Sequence, residues 1–194
     1  MFHDIPGLIG LMGGEEAFAA NLDRVFEMPP VFDDSYYGFT IHEIREMQIM
    51  NMGNYAHGNQ PIQHMLYLYD WCGQPWKTQQ KVREVMWKFY TAAPDGYCGD
   101  EDNGQTSAWY VFSALGFYPV CPASCEYAIG SPIFDTVVLD NGSSRFTIRT
   151  RGGGSSACFI ASKKLNGRPF EGNFLSHSAL VDGGTLEFTM TENK

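Results

Sequence analysis

The residues best suited to catalysis or ion binding are three consecutive carboxylates, Asp100-Glu101-Asp102. They lie in a glycine-rich segment before an apolar stretch. Like charges this close repel one another unless a cation, a proton transfer or a helix N-terminus makes use of them. The segment lacks the twelve-residue ligand pattern of an EF-hand, so that type of calcium loop is excluded. A general base and a set of acidic residues that stabilise a helix N-terminus are the two open interpretations.

A second polar segment runs from Asn54 to Pro61 and contains His57, Asn59 and Gln60. Amide and imidazole groups beside a helix N-terminus suit a ligand rich in hydroxyl groups. The alternative is a helix cap, with Asn59 as the capping residue and Pro61 in the first helical turn. Spacing alone does not separate the two.

The third segment, Thr40 to Glu46, places its acidic and imidazole groups on one helix face. His42 and Glu46 are four residues apart, and Glu43 and Glu46 are three apart, so each pair shares that face. The second histidine of the zinc protease pattern is missing, which argues against zinc. Surface ion pairs with Arg45 are the plain alternative.

Hydrophobic periodicity and breaker residues predict helices for the first two-thirds of the chain. The predicted helices begin near Gly14, Thr40, Pro61, Pro75 and Gln105, and end before Pro29 and at Met52, Gly73, Phe89 and Leu115. The last of them is apolar nearly all round and is expected to be buried on most sides.

After Pro119 the pattern changes to short alternating segments bounded by turn residues. Strands are predicted for Phe134–Leu139, Phe146–Arg149, Ala157–Ala161 and Leu186–Met190, and they are expected to form an antiparallel sheet with a structural role. The predicted fold is therefore α then β, divided into residues 1–118 and 119–194.

Composition excludes several classes of protein. The 194 residues carry a formal net charge of −9 with no basic run, so nucleic acid is not an expected partner. No stretch reaches the roughly 20 apolar residues of a membrane span. Met1-Phe2-His3-Asp4 lacks the basic and apolar regions of a signal peptide, so export would require one elsewhere in a full-length protein. The five cysteines contain no CxxC pair, and unpaired buried thiols are preferred over a Cys121–Cys125 bridge.

Several longer motifs together resemble glycoside hydrolase family 92, the calcium-dependent exo-acting α-mannosidases. The motifs are Gly7-Leu8-Ile9, Tyr55-Ala56-His57-Gly58-Asn59-Gln60-Pro61, Gly73-Gln74-Pro75-Trp76-Lys77-Thr78-Gln79 and Ser107 to Pro119. They occur in the order and spacing of the family, over nearly the whole chain. The resemblance implies that residues 1–118 are the last helices of an (α/α)6 catalytic barrel, followed by antiparallel β-sandwich strands.

The resemblance also implies a reaction and a set of site residues. Family members hydrolyse α-mannosides with inversion, and a calcium ion holds hydroxyl groups of the terminal mannose. By resemblance Asp102 is the general base with Asp100 as its partner, and His42 and Glu43 grip the leaving sugar of an α-1,2 linkage. Asn59 is assigned to the sugar, and Glu46 and Gln60 to the calcium ion.

Two departures from the family pattern limit this expectation. The family's general acid is a glutamate in a segment that would precede His3, so the chain is expected to need an N-terminal part of a larger enzyme. Gln60 stands where many relatives have Glu, and an amide donates no useful proton although its oxygen ligates calcium.

Two alternative functions follow from the same residues. A non-catalytic carbohydrate-binding module would use the aromatic and amide groups and would need no general acid. A glycosidase or phosphorylase of another (α/α)6 family would share the layout without the calcium ion. The expected ligand in the preferred interpretation is a mannose-containing glycan, and the expected location is periplasmic or secreted if the full-length protein carries a signal peptide.

Overall fold

The computed structural model describes residues 2–194, and Met1 lies outside them. The chain folds as helices followed by strands, as the sequence predicts. The helical elements are α1 (Ile5–Leu11), α2 (Glu15–Glu27), α3 (His42–Met50), a 3₁₀ helix (Gln60–Cys72), α4 (Pro75–Phe89) and α5 (Gln105–Leu115). Of these six, α1 was not predicted; Asp4 caps it by accepting a hydrogen bond from the Gly7 N–H at 2.9 Å.

Breaker residues end the helices where the sequence indicates. Gly73 ends the 3₁₀ helix with a φ of 65°, and Gly116 ends α5 with a φ of 98°. The Gly116 N–H donates to the carbonyl groups of Phe112 and Ser113, which gives the last turn of α5 its partners. Helix α3 ends two residues earlier than predicted, because Asn51 adopts a left-handed conformation with a φ of 52°.

The strands form two sheets. Their bounds are β1 (Phe117–Tyr118), β2 (Glu126–Ile129), β3 (Thr136–Asp140), β4 (Arg145–Arg151), β5 (Phe159–Leu165), β6 (Arg168–Pro169), β7 (Phe174–Ser176) and β8 (Gly184–Thr191). A short helix, α6 (His177–Val181), precedes β8. The small sheet has the order β1-β2-β7, and the large one has the order β3-β4-β8-β5-β6.

The prediction that all strands pair antiparallel is wrong for one pair. Strands β4 and β8 run parallel, with Phe146 opposite Gly184 and Arg151 opposite Thr189. Parallel neighbours need a crossover connection, and here it consists of β5, β6, β7 and α6. The large sheet is therefore mixed.

Two hydrophobic cores lie under these elements. One is mainly helical and includes Leu66, Val82 and Trp109, whereas the other lies under the large sheet and includes Ile148 and Leu186. Both extend across residue 118, and the division of the chain there stays a prediction.

The expectation that α5 is buried on most sides is wrong. Trp109 is fully buried, but the Val111 side of the helix is open to solvent with Val111 56% exposed. One face of α5 packs into the helical core, and the opposite face has no covering element in the described residues.

Polar side chains of the helical part join it to the strands. Gln79 accepts a hydrogen bond from the Ile160 N–H at 3.0 Å, and Asn173 donates to the Asp70 carbonyl at 3.1 Å. All five cysteines are free thiols, so the preference for unpaired thiols over a Cys121–Cys125 bridge is confirmed, but the expectation that these thiols are buried is right only for Cys72. None of the helices within residues 2–194 has the length and apolar character that crossing a membrane requires.

Candidate functional site

The two polar loops recognised in the sequence meet in space. The loop that ends at Pro61 and the loop that carries Asp100–Asp102 touch through glycines, since a Cβ atom added to Gly99 would lie 2.9 Å from the Gly58 Cα. Neither position has room for a side chain. Glycine at both positions therefore lets the two backbones approach closely.

Hydrogen bonds hold the second loop against the first. The Gln60 amide donates to the Asp100 carbonyl at 2.7 Å, and the Thr106 hydroxyl donates to the same carbonyl at 3.0 Å. Gln63 is buried, and its amide donates to the His57 carbonyl at 3.2 Å. Gln60 and Gln63 thus lie on the 3₁₀ helix and anchor both loops.

The three neighbouring carboxylates have different roles. Glu101 turns back onto α5 and accepts hydrogen bonds from the backbone N–H of Gly104 at 2.7 Å and of Ser107 at 3.3 Å. Hydrogen bonds from the Ser107 side chain and the Gly104 backbone lower the pKa of Glu101. The helix-stabilising interpretation is therefore right for this residue.

Asp100 and Asp102 are exposed. Asp102 and Asn103 both adopt left-handed conformations, with φ values of 54° and 57°. Asp102 lines a cavity of about 530 Å³ together with Gln60 and Gln105. A carboxylate in this position is free to accept a proton from a water molecule in the cavity.

Helix α3 supplies the third set of predicted residues. The His42 Nε2 lies 3.4 Å from the Glu43 Oε1, and both side chains remain in contact with solvent. Glu46 lies on the inner face of the same helix with only 6% of its surface exposed. Both of its carboxylate oxygens accept from the Gly58 N–H, at 2.9 and 3.0 Å. Burial raises the pKa of Glu46 to about 7.

His57 is a structural residue rather than a ligand of a hydroxyl-rich molecule. It is fully buried, with its Nδ1 2.7 Å from the Tyr55 hydroxyl and its Nε2 2.6 Å from the Tyr90 hydroxyl. Burial lowers the pKa of His57 to about 3, so its ring is neutral. The Tyr90 hydroxyl also donates to the Thr106 carbonyl of α5 at 3.5 Å. His57 thereby joins the first loop to α5.

Asn59 holds the capping position of the 3₁₀ helix, but its side chain makes no capping hydrogen bond. The cap interpretation is thus right for the position and wrong for the interaction. The Asn59 amide is exposed beside Gln60 and is available to a ligand.

The donor chemistry fits a calcium ion. The buried Glu46 carboxyl has no Lys or Arg at ion-pair distance within residues 2–194, and a cation would supply the missing charge. The Gln60 amide oxygen accepts no hydrogen bond from the described residues. Those residues contain no cluster of three His, Cys, Asp or Glu side chains suited to a metal. A calcium ion held by Glu46 or Gln60 would therefore need amide oxygens, water and sugar hydroxyl groups for most of its ligands.

Comparison with known proteins gives a consistent result. The glycosyl hydrolase family 92 catalytic domain matches residues 1–192. A family 92 inverting mannosidase from Bacteroides thetaiotaomicron VPI-5482 is 53% identical, with a TM-score of 0.83 over 99% of this chain and 26% of its own. A family 92 α-mannosidase from the same species is 30% identical, with a TM-score of 0.79 over 93% of this chain and 22% of its own.

A secreted glycosidase of Arthroderma benhamiae, itself uncharacterized, is 25% identical over 192 residues, or 97% of this chain and 22% of that protein. The chain therefore spans about a quarter of the length of the relatives it matches. The family match extends over nearly every residue, including both polar loops and helix α3. This chain belongs to glycosyl hydrolase family 92.

Proposed function

We propose that the protein containing this chain hydrolyses terminal α-linked mannose from glycans, with inversion at the anomeric carbon and with α-1,2 linkages preferred. The observation that carries this proposal is that neighbouring carboxylates have different environments: Asp102 lines a cavity, whereas Glu101 stabilises α5. Membership of the family and the mannosidase relatives support the choice of substrate.

Inversion requires two carboxyl groups with different tasks, about 6.5–9.5 Å apart. In the proposal Asp102 is the general base, which removes a proton from water as the water attacks the anomeric carbon, and Asp100 is its partner. The general acid, which protonates the leaving oxygen, comes from a part of the protein outside residues 1–194. Residues 1–118 are proposed to be helices of an (α/α)6 barrel that brings the two groups together.

The remaining residues bind the substrate in this proposal. Asn59 contacts the terminal mannose, and His42 with Glu43 contacts the leaving sugar. Glu46 and Gln60 would hold a calcium ion, which supplies a positive charge that binds and orients two sugar hydroxyl groups. The name of the Arthroderma relative supports action outside the cytoplasm.

The test is Asp102→Asn in the protein that carries this chain. Turnover of an α-mannoside should fall by about 10² to 10⁴, the usual contribution of a general base, with mannose binding retained. Asp95→Asn, which changes an exposed carboxylate of the same segment, is the matched control and should leave turnover unchanged.

Analysis of the first-formed mannose anomer by NMR tests inversion separately. Turnover of Asp102→Asn within a factor of three of the unmodified protein would remove Asp102 from the mechanism. Mannose binding without any hydrolysis by the unmodified protein would instead identify a carbohydrate-binding module.

A further inference from the structure

A second cavity, of about 630 Å³, lies where α4 and α5 meet the loops of the large sheet. It shares no lining residue with the cavity that contains Asp102. Its polar and aromatic lining consists of Arg83, Trp87, Tyr90, Tyr110, Asp135 and Ser155. The volume is within the range of about 300–1,000 Å³ that is usual for small-molecule sites.

Arg83 is a buried cation without a carboxylate partner among residues 2–194. It is 6% exposed, and its Nε donates to the Ser131 hydroxyl at 3.0 Å. Its Nη2 donates to the carbonyl groups of Pro132 at 3.0 Å and Ala157 at 3.3 Å. The Nη1 atom donates no hydrogen bond to the described residues, which leaves two N–H groups of this cavity-lining residue without a protein acceptor there.

Asp135 places a charge of the opposite sign in the same cavity. Its side chain is exposed and forms no ion pair with Arg83. A phosphate or carboxylate ligand would be repelled by Asp135, and a cation would be repelled by Arg83. A neutral polyhydroxyl molecule suits both, because its hydroxyl groups accept from the guanidinium and donate to the carboxylate.

The aromatic side chains indicate which polyhydroxyl molecule fits. Trp87 is 61% exposed although it lies on a helix that packs against the core. The ring centroids of Tyr90 and Tyr110 are 4.8 Å apart at the cavity wall. The negative face of an aromatic ring attracts the C–H groups on the apolar face of a sugar ring.

An adjoining cavity of about 450 Å³ extends the same surface. It shares Tyr90 and Tyr110 with the first cavity and adds Tyr97. The Tyr97 hydroxyl lies 2.8 Å from the Ser107 hydroxyl, which orients its ring. Two neighbouring cavities with a shared aromatic wall suit a chain of sugar residues better than a single sugar.

We propose that the cavity lined by Arg83, Trp87, Tyr110 and Asp135 is a glycan-binding site separate from the candidate active site, with a neutral oligosaccharide as its ligand. This site would retain a branched or polymeric glycan while its terminal residues are hydrolysed elsewhere. The proposed function enters only in the choice of a mannose polymer as the first probe.

The experiment measures retardation of the protein that carries this chain in native gels containing yeast mannan. Trp87→Ala and Asp135→Ala should each weaken mannan binding by about tenfold or more, since each removes a central contact. Tyr36→Ala, which removes a 91% exposed aromatic ring outside the cavity, is the matched control and should bind as the unmodified protein does.

Hydrolysis of a small aryl α-mannoside by the same samples separates this inference from the proposed function. Unchanged aryl-mannoside turnover in Trp87→Ala together with lost mannan binding supports a separate site. Equal mannan binding by all variants overturns it, and so does the absence of mannan binding by the unmodified protein. Inorganic phosphate that protects Arg83 from arginine-specific modification would also overturn it, because the cavity would then be an anion site.

Discussion

Among individual residues, the acidic triplet Asp100-Glu101-Asp102 shows how neighbouring carboxylates acquire different environments. Glu101 accepts two backbone N–H groups at the start of α5, where the helix dipole also favours a negative charge. The left-handed conformations of Asp102 and Asn103 turn the chain so that Asp102 faces the cavity. The helix-stabilising interpretation is thus right for Glu101, and the general-base role of Asp102 stays a prediction.

The sequence indicates which segments matter but not the role of each side chain. The Asp100–Asp102 segment and helix α3 could be identified as candidate sites from the sequence, because the combination of residue types in each segment has few purely structural roles. The burial of His57 could not be predicted, since it depends on Tyr90 and Trp109, which follow it by more than thirty residues. An imidazole enclosed by aromatic rings has no local sequence pattern.

The role of His42 in linkage preference is a prediction about a single residue. His42→Ala should lower activity on α-1,2-mannobiose far more than on an aryl mannoside, because the aryl group leaves without help from a bound sugar. Comparison of kcat/KM for the two substrates measures the effect. Arg45→Ala, an exposed substitution on the same helix, should change neither. Equal losses on both substrates for His42→Ala would contradict the assignment.

At the element scale, the candidate site depends on two loops that are distant in sequence. Gly58 and Gly99 meet at a distance that leaves no space for a Cβ atom, and the Gly58 N–H also holds the Glu46 carboxylate of α3. Three elements therefore converge on one glycine. No periodicity or composition predicts such a contact, because it depends on how the helices pack.

Substitution of Gly58 tests this convergence. In Gly58→Ala the added methyl group would overlap the Glu46 Oε2 and lie 3.2 Å from the Gly99 Cα, so the loops must separate. We expect a loss of about 1–3 kcal/mol in the free energy of unfolding, the usual cost of overpacking, together with reduced turnover. Denaturant unfolding and steady-state kinetics measure the two effects.

Gly10→Ala is the matched control, because an added Cβ there has no neighbour within 4 Å. Alanine at this position of α1 should stabilise the protein by roughly 0.5–1 kcal/mol. A Gly58→Ala variant as stable and active as Gly10→Ala would show that the loops do not need their close contact.

Element boundaries were predictable where proline or glycine marks them. Helices α2, α4 and α5 follow the predicted limits closely, since Pro29, Pro75 and Gly116 interrupt or begin helical geometry. The parallel pairing of β4 with β8 was not predictable from alternation, which is the same for either strand direction. Strands of two to four residues, such as β1 and β7, are too short to show a period.

At the scale of the whole molecule, side chains of the helical part cross into the strand region. Arg83 and Gln79 of α4 bond to backbone groups that precede or begin the strands, and Asn173 bonds back to the 3₁₀ helix. Buried polar bonds of this kind specify one relative position for the two cores, because any shift would leave the groups unpaired. The geometry of the candidate loops and that of the proposed glycan cavity both depend on this relative position of the two cores.

Asp70 is a buried polar group at this junction whose carboxylate oxygens have no hydrogen-bond partner within residues 2–194. Burial raises the pKa of Asp70 well above 3.8, and the nearby Thr78 hydroxyl and Lys163 ammonium only partly oppose the rise. The folded protein therefore binds a proton here that the unfolded chain releases near pH 4, so stability falls as the pH rises above that value.

Asp70→Asn keeps the shape of the side chain and removes the group that takes up the proton on folding, so it should remove this part of the pH dependence. The melting temperature of the variant relative to the unmodified protein should rise between pH 5 and pH 8, by about 2–4 °C for each kcal/mol of this pH-dependent loss of stability that is relieved. Thermal unfolding at the two pH values measures the difference, and Asp95→Asn, at an exposed position, should show none. The same relative melting temperature for Asp70→Asn at pH 5 and pH 8 would mean that Asp70 does not hold its proton in the folded state, and that Lys163 or solvent compensates its charge.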